Sequence, residues 1–328
     1  MPVSNFVVEG IDAIPAALRG AAVAIGNFDG MHLAHQKLLH EALRAARSGG
    51  VPAVVMTFEP HPRILFEPDT PLFRLTPRDA KARIASALGF DAMIVIPFDP
   101  QFSAISAGDF VRSVLIDQLA ISTVVVGYNF RFGAGRGGTP EFLTAAGEGH
   151  GFKVAVVAPV TEIDGVRISS GLVRDALAAG DVGRANALLG YRWFVSGAVV
   201  KGDQRGRALG FPTANMRLPH ETALRLGIYA VTLRRANGQT FNGVASYGRR
   251  PMFDNGDAVL EVFIFDFSGD LYGELVTVTF FDWIRGEEKF PSVEALVATM
   301  KSDVEQAKAI LGSAGPGTAL DRRLTAES

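Results

Sequence analysis

Residues Ala21–Gln36, AAVAIGNFDGMHLAHQ, decide how the first half of this chain is read. Ala21–Ile25 is a short apolar run of the kind that forms a strand buried on both faces. Gly26-Asn27-Phe28-Asp29-Gly30 interrupts it with two glycines and an aspartate, the composition of a turn. Leu38, Leu39, Ala42, Leu43 and Ala46 then recur at helical spacing, which predicts a helix over Gln36–Ala46 with His32 and His35 at its N-terminal end. Unpaired backbone N–H groups at a helix start, beside two imidazoles three residues apart, form a place where phosphate can be held. Taken alone, the His-x-x-His pair has ordinary alternatives, as surface imidazoles or as part of a metal site.

Working outward, the same alternation repeats. Pro52–Phe58, Asp91–Pro97, Ser122–Gly127 and Phe152–Ala158 read as further Val-rich strands, and the segments between them carry helical periodicity. Thr76 is expected to cap a helix that has Pro77 at its first position and ends at Gly89. Strand and helix in alternation predict an α/β, doubly wound, Rossmann-like parallel sheet, whose ligands bind beyond the carboxyl ends of the strands. Three polar loops follow such ends: the one with His32 and His35, the one with His61, and Tyr128–Gly138 with Asn129 and Arg136. Ile168–Arg174, ISSGLVR, opens another helix and adds Ser169, Ser170 and Arg174.

From about Tyr191 the pattern changes to short strands separated by Gly, Asn and Asp turns, with Asn237-Gly238 the clearest hairpin. An antiparallel β-barrel closed by a helix from Val293 to about Leu311 is expected. The domain division is expected near Leu189, separating residues 1–188 from 189–311. Residues 312–328 hold few large apolar groups and are expected to stay mobile.

Composition narrows the partners. With 328 residues, 48% hydrophobic content and a formal charge of −2, the chain is a globular protein long enough for two domains. The balance of 32 basic against 34 acidic residues argues against nucleic acid or an anionic membrane as a general partner. The absence of cysteine excludes disulfides and thiol chemistry and suits a reducing cytoplasm. Glu9 and Asp12 interrupt the N-terminal stretch, so no signal peptide is expected, and no apolar run approaches the roughly 18–20 residues of a membrane span. Homo-oligomerisation stays open.

The histidine pair and the paired serines with Arg174 together suit a triphosphate, which needs donors from more than one direction. GNFDGMHLAHQ, TFEPHPR, GYNFRFGAGRGG and ISSGLVR resemble the adenylyltransferase half of bacterial bifunctional riboflavin kinase/FAD synthetases. The resemblance implies that Gly26, Asn27, Phe28, Gly30, His32, His35, Arg167, Ser169, Ser170 and Arg174 bind ATP. His32, His35 and Arg174 would then stabilise charge as pyrophosphate leaves. It also implies a flavin contact from His61, Asn129 and Arg136. Ala34 and Gly171 depart from the family, which usually has glycine and threonine there.

The second half resembles the riboflavin kinase of the same family through Lys201–Asn215, KGDQRGRALGFPTAN. Lys201, Gly202, Gly206, Arg207, Gly210, Phe211, Pro212, Thr213, Asn215 and Arg285 are thereby expected to surround nucleotide and flavin, with the Gly202–Gly210 run as a flap. Thr213 and Asn215 would hold Mg²⁺, and Glu261 would be the general base toward the ribityl hydroxyl. Without the resemblance, Thr213 and Asn215 read as turn residues and Glu261 as the outward residue of a strand. The implied activity is a two-step FAD synthesis using ATP, riboflavin and FMN as substrates. Two alternatives are a kinase with a weak or inactive adenylyltransferase, and a flavin-binding carrier without turnover.

Overall fold

Strands with no polar residue on either face need cover on both, and the first compact unit of the chain, Met1–Ser170, supplies it. The computed structural model describes residues 6–12, 14–161, 165–202, 206, 209–249 and 258–326. Its first sheet contains β1 (Val7–Glu9), β2 (Ala22–Ile25), β3 (Ala53–Glu59), β4 (Ala92–Pro97), β5 (Thr123–Gly127) and β6 (Lys153–Val157). The order is β1-β4-β3-β2-β5-β6, with every pair parallel. Val23, Ile25, Val54, Met56, Ile94 and Val124 on alternate positions join one core with Phe110, Val114, Leu115 and Leu143 of the covering helices. The helix Leu33–Gly49 packs against β2, β3 and β5. Chain order runs outward from β2 through β3 to β4, then reverses at β5, so the crevice between the ends of β2 and β5 is the topological switch point.

Two details differ from the sequence reading for physical reasons. β1 was not anticipated, because three residues carry no readable period and their strand exists only through pairing with β4. The helix Arg78–Leu88 has Pro77, not Thr76, as its N-cap, with no side-chain cap. The Thr76 hydroxyl is engaged by the turn after β2 instead.

The second compact unit spans Gly171–Ser328, so the helix Val182–Leu189 belongs with the barrel it packs on. Asn186 ties that helix down by donating to the Phe280 carbonyl at 3.1 Å and accepting from the Trp193 amide at 2.8 Å. The barrel comprises β7 (Phe194–Ala198), β8 (Thr213–Arg217), β9 (Gly227–Arg234), β10 (Thr240–Arg249), β11 (Ala258–Ile264) and β12 (Leu275–Arg285). Their order is β7-β12-β9-β10-β11-β8, antiparallel throughout. The Val200 amide donates to the Asn215 carbonyl at 2.8 Å, which brings the two edges together and leaves the barrel nearly closed.

Met216, Leu260, Val262, Val278 and Phe280 are fully buried in the barrel. The long helix Val293–Ser313 packs on β9, β10 and β12 through Val304 and Ala307. Arg285 at the end of β12 anchors it with two hydrogen bonds to Asp303, 2.8 and 2.7 Å. The segment expected to be mobile instead contains a helix, Ala319–Ala326, that buries Leu320 and Leu324. Asp321 in that helix accepts from the Arg192 amide at 2.7 Å, a contact with residues far away in sequence.

Candidate active sites

Four backbone groups of the turn after β2 are held by side chains from distant segments. Thr57 and Lys81 donate to the Asn27 carbonyl at 3.2 and 2.9 Å. Thr76 donates to the Phe28 carbonyl at 3.2 Å and accepts from the Gly30 amide at 2.8 Å. Ser170 donates to the Asp29 carbonyl at 2.7 Å. The Asp29 carboxylate, almost fully buried, accepts from the Thr76 amide at 3.0 Å. This satisfaction supports a backbone that is otherwise unfavourable, since Phe28 and Met31 have φ of 47° and 40°.

Out of the turn comes the histidine pair. His32 is the N-cap of the helix Leu33–Gly49, and its Nδ1 accepts from the His35 amide at 3.4 Å. An accepting Nδ1 leaves the proton of the neutral ring on Nε2. The His35 ring stacks on His32 with centroids 3.7 Å apart and lies edge-on to Phe28 at 5.4 Å. Burial, then the neighbouring His32, then the positive charge of Lys81 push His35 well below the usual imidazole range. His35 is therefore neutral at physiological pH, and its buried Nδ1 has no hydrogen-bond partner among the described residues.

A cavity of about 920 Å³ opens from this switch point. Gly26, Asn27, His35, Asn129 and Ser170 line its polar part, and Phe58, Phe98, Phe102, Phe110, Phe130 and Phe132 form an apolar wall. These rings contact one another at 5.4–6.2 Å, an arrangement suited to a flat aromatic ligand. His61 and Arg136 also reach the cavity. His61 caps the helix Pro62–Phe66 by accepting from the Arg63 amide at 3.1 Å. Gly30 and the buried His32 lie outside the lining, and Arg167 is exposed and donates to the Tyr128 hydroxyl at 2.5 Å. Arg174 follows Ser170 by one turn of the helix Ser170–Ala179.

Sequence reading passed over the groups beneath the turn. Lys81 is completely buried and donates to Glu59 at 3.0 Å as well as to Asn27 and Thr57. Arg74 makes two hydrogen bonds to Glu59, 2.9 and 2.6 Å. Burial pushes the Glu59 carboxyl up, but Arg74 and Lys81 outweigh it and hold it below the usual range. Burial lowers the Lys81 ammonium despite Glu59. The available signal was a lysine on the apolar stripe of a helix, beside Ala82, Ile84 and Ala85.

In the barrel, β8 and β11 place Asn215 opposite Glu261 and Thr213 opposite Phe263, while Ser246 of β10 stands opposite Glu261 on the other side. Directly opposed residues share one face, so Thr213, Asn215, Glu261 and Ser246 form a polar patch on it. Leu260 and Val262, on the alternate positions of β11, are fully buried. Asn215 is nearly buried and donates through Nδ2 to the Thr213 carbonyl at 3.1 Å and hydroxyl at 3.3 Å. Gly202 faces its other end: a Cβ there would stand 2.4 Å from Asn215 Oδ1. Likewise a Cβ on Gly206 would stand 2.3 Å from the Phe211 carbonyl oxygen. Lys201, Gly210 and Pro212 are exposed, Phe211 is buried in the layer under the long helix, and Arg207 lies outside the described residues. The Arg285 guanidinium, expected near the flavin, is paired with Asp303, whose carboxylate holds it above its ordinary value.

A doubly wound sheet with a histidine-bearing turn at its switch point, in one chain with a six-stranded barrel bearing an Asn–Glu patch, suits a two-module nucleotide-dependent transferase. The FAD synthetase family matches residues 14–172 and the riboflavin kinase family residues 189–311. The bifunctional riboflavin kinase/FMN adenylyltransferase of Pseudomonas fluorescens is 39% identical over 305 residues, covering 93% of this chain and 97% of that protein. The Escherichia coli K12 enzyme of the same name is 37% identical over 311 residues, covering 94% and 99%. A solved structure of a protein named as a macrolide-efflux protein, from Streptococcus pneumoniae, superposes with a TM-score of 0.81 at 34% identity, covering 92% of this chain and 99% of that one. The chain belongs to the bifunctional riboflavin kinase/FMN adenylyltransferase family: it phosphorylates riboflavin to FMN and adenylylates FMN to FAD, with ATP as donor in both steps. Nothing in these relatives supports a non-catalytic carrier. Among the described residues no helix is long and apolar enough to cross a membrane.

Proposed function

We propose that FMN adenylylation takes place in the cavity at the β2–β5 crevice, and riboflavin phosphorylation at the Thr213–Asn215–Glu261 patch. The observation that carries the first assignment is one cavity lined both by the histidine turn and by a cluster of mutually contacting phenylalanines. The wall suits the isoalloxazine ring of FMN, and Asn129, Arg136 and His61 are set to meet its polar edge or phosphate. The turn Gly26–Gly30 with His32, His35, Ser169, Ser170 and Arg174 would receive the ATP phosphates, with Arg167 at the margin. The FMN phosphate oxygen attacks the α-phosphorus, the bond to the bridging oxygen breaks, and pyrophosphate leaves with its charge. Imidazole N–H groups serve as hydrogen-bond donors to that charge, which is positioning and electrostatics and requires no covalent intermediate.

In the barrel, Glu261 would accept the proton of the ribityl hydroxyl as that oxygen attacks the γ-phosphorus of ATP, expelling ADP. Mg²⁺ would be held by Thr213 Oγ1 and Asn215 Oδ1 together with phosphate oxygens. Neutral oxygens beside a carboxylate suit a hard cation that keeps most of its shell as water and phosphate, and the Asn215 carboxamide tolerates only glycine at position 202 against it. When bound, the ion supplies charge neutralisation at the phosphates. The substrates and the cysteine-free composition suit a cytoplasmic enzyme without a nucleic-acid or membrane partner.

The test is a crossed product assay by chromatography, started separately from riboflavin and from FMN with ATP and Mg²⁺. Glu261→Ala is expected to abolish FMN formation and leave FAD formation from supplied FMN. His35→Ala is expected to do the reverse. Loss of both products in either variant, with the fold intact by circular dichroism, would refute the allocation.

A further inference from the structure

Lys81 is the lysine that is fully buried among the described residues, and neither chemical step uses it. Its Nζ has three protons and three acceptors: the Asn27 carbonyl at 2.9 Å, Thr57 Oγ1 at 3.1 Å and Glu59 Oε1 at 3.0 Å. Burying an ammonium is costly, and a methionine of similar length would fill the same space without that cost. Each of its contacts leads to the histidine turn. Asn27 opens the turn, Thr57 donates to the same Asn27 carbonyl at 3.2 Å, and Glu59 holds Arg74, whose Nε is 3.9 Å from Asp29. The chain then passes through the positive φ of Phe28 and Met31 to His32.

We propose that Lys81 is a positioning residue for adenylyl transfer: from beneath the turn it sets, through the Asn27 carbonyl, the course of Asn27–Gly30 and the seating of the His32/His35 pair, without touching ATP or FMN. This rests on the allocation of that pair to the adenylyl step. The charged groups that act on His35 are His32 at the start of its own helix and Lys81 from the helix Arg78–Leu88, and the cavity it lines also carries Asp29, His61, Arg63, Glu67, Arg131 and Arg136. Lys81 reaches it from the protein side, and its charge opposes protonation of the imidazole. Removing that charge lets His35 protonate at higher pH, so the acid limb of FAD formation moves upward.

The experiment compares Lys81→Met, Lys81→Arg and His35→Ala in the full chain, reading FAD formation from FMN as a function of pH and ATP, with riboflavin phosphorylation as a control in the other module. For Lys81→Met the expected result is a fall of at least tenfold in kcat with KM for ATP changed less than threefold, an acid limb moved to higher pH, and an unchanged kinase rate. Lys81→Arg retains the charge but not the three-point geometry, so kcat falls while the acid limb stays in place. FAD formation within twofold of the parent in Lys81→Met, or an acid limb that does not move, overturns the proposal. Should Lys81→Met fail to fold by circular dichroism, Lys81→Arg decides, and a full FAD-forming rate there overturns the proposal. Unimpaired FAD formation in His35→Ala identifies failure of the underlying allocation instead.

Discussion

His32 and His35 stack with ring centroids 3.7 Å apart and planes inclined by only 14°, one imidazole capping the helix that carries the other. Two rings this close cannot both take a proton without strong repulsion, and Lys81 adds a third positive charge. On the proposed allocation, the helix start would meet phosphate with the neutral His35 ring and backbone amides.

The depressed titration of His35 has a sign that can be measured. Its folded value lies well below the ordinary imidazole value, so between the two the unfolded chain binds the extra proton. This contribution to stability is complete above about pH 6.5 and is lost as pH falls toward the folded value. The His35 ring signal in NMR is expected to titrate well below that of an exposed histidine. Thermal unfolding of His35→Gln is expected to show a shallower loss of stability across that interval.

Gly202 offers a test of the kinase patch that leaves its polar groups in place. Its Cβ would overlap Asn215 Oδ1 at 2.4 Å, so Gly202→Ala displaces either the carboxamide or the segment above it. Displacements of this size in a positioning site cost roughly ten- to a hundredfold in rate. Riboflavin phosphorylation is expected to fall by that factor, with FAD formation from supplied FMN unchanged.

Arg285 and Asp303 form a pair with side chains 18% and 5% exposed. Arg285→Ala strands the buried carboxylate and is expected to lower stability by about 3 kcal/mol. Arg285→Met combined with Asp303→Leu is expected to recover most of that loss in denaturant unfolding. A raised KM for riboflavin persisting in the double variant would assign Arg285 a flavin contact besides its tie to the long helix.

The C-terminal helix can be tested with one side chain. Leu324 is 4% exposed in Ala319–Ala326. Leu324→Ala is expected to cost about 2–3 kcal/mol, measured by thermal unfolding of the full chain. A mobile tail would register no change.

The parallel sheet was legible because buried strands and amphipathic helices write their own periods: β2 to β6 lie within a residue or two of the runs that announced them. His32, His35 and Ser170 stand out in the sequence because they lie in short stretches whose spacing is local, whereas Asn215 and Glu261 become candidates only through resemblance, their facing positions being set by strand register. β1 and β8 were not legible as strands, since three residues in one case and a proline-led motif in the other acquire that conformation from a neighbour. Thr76 reads locally as a helix cap, yet its hydroxyl serves a glycine 46 positions earlier.

The amino-acid sequence by itself determined most element types and the two-module order, because these follow from near-neighbour periodicity and turn chemistry. Tertiary structure alone decided which groups meet at the candidate sites. Lys81 meets Asn27 across 54 positions, Glu261 faces Asn215 by strand register, and Arg285 meets Asp303 on another element. Such pairings depend on chain closure and on the cost of leaving a buried charge unpaired, and neither is expressed in any short window of residues.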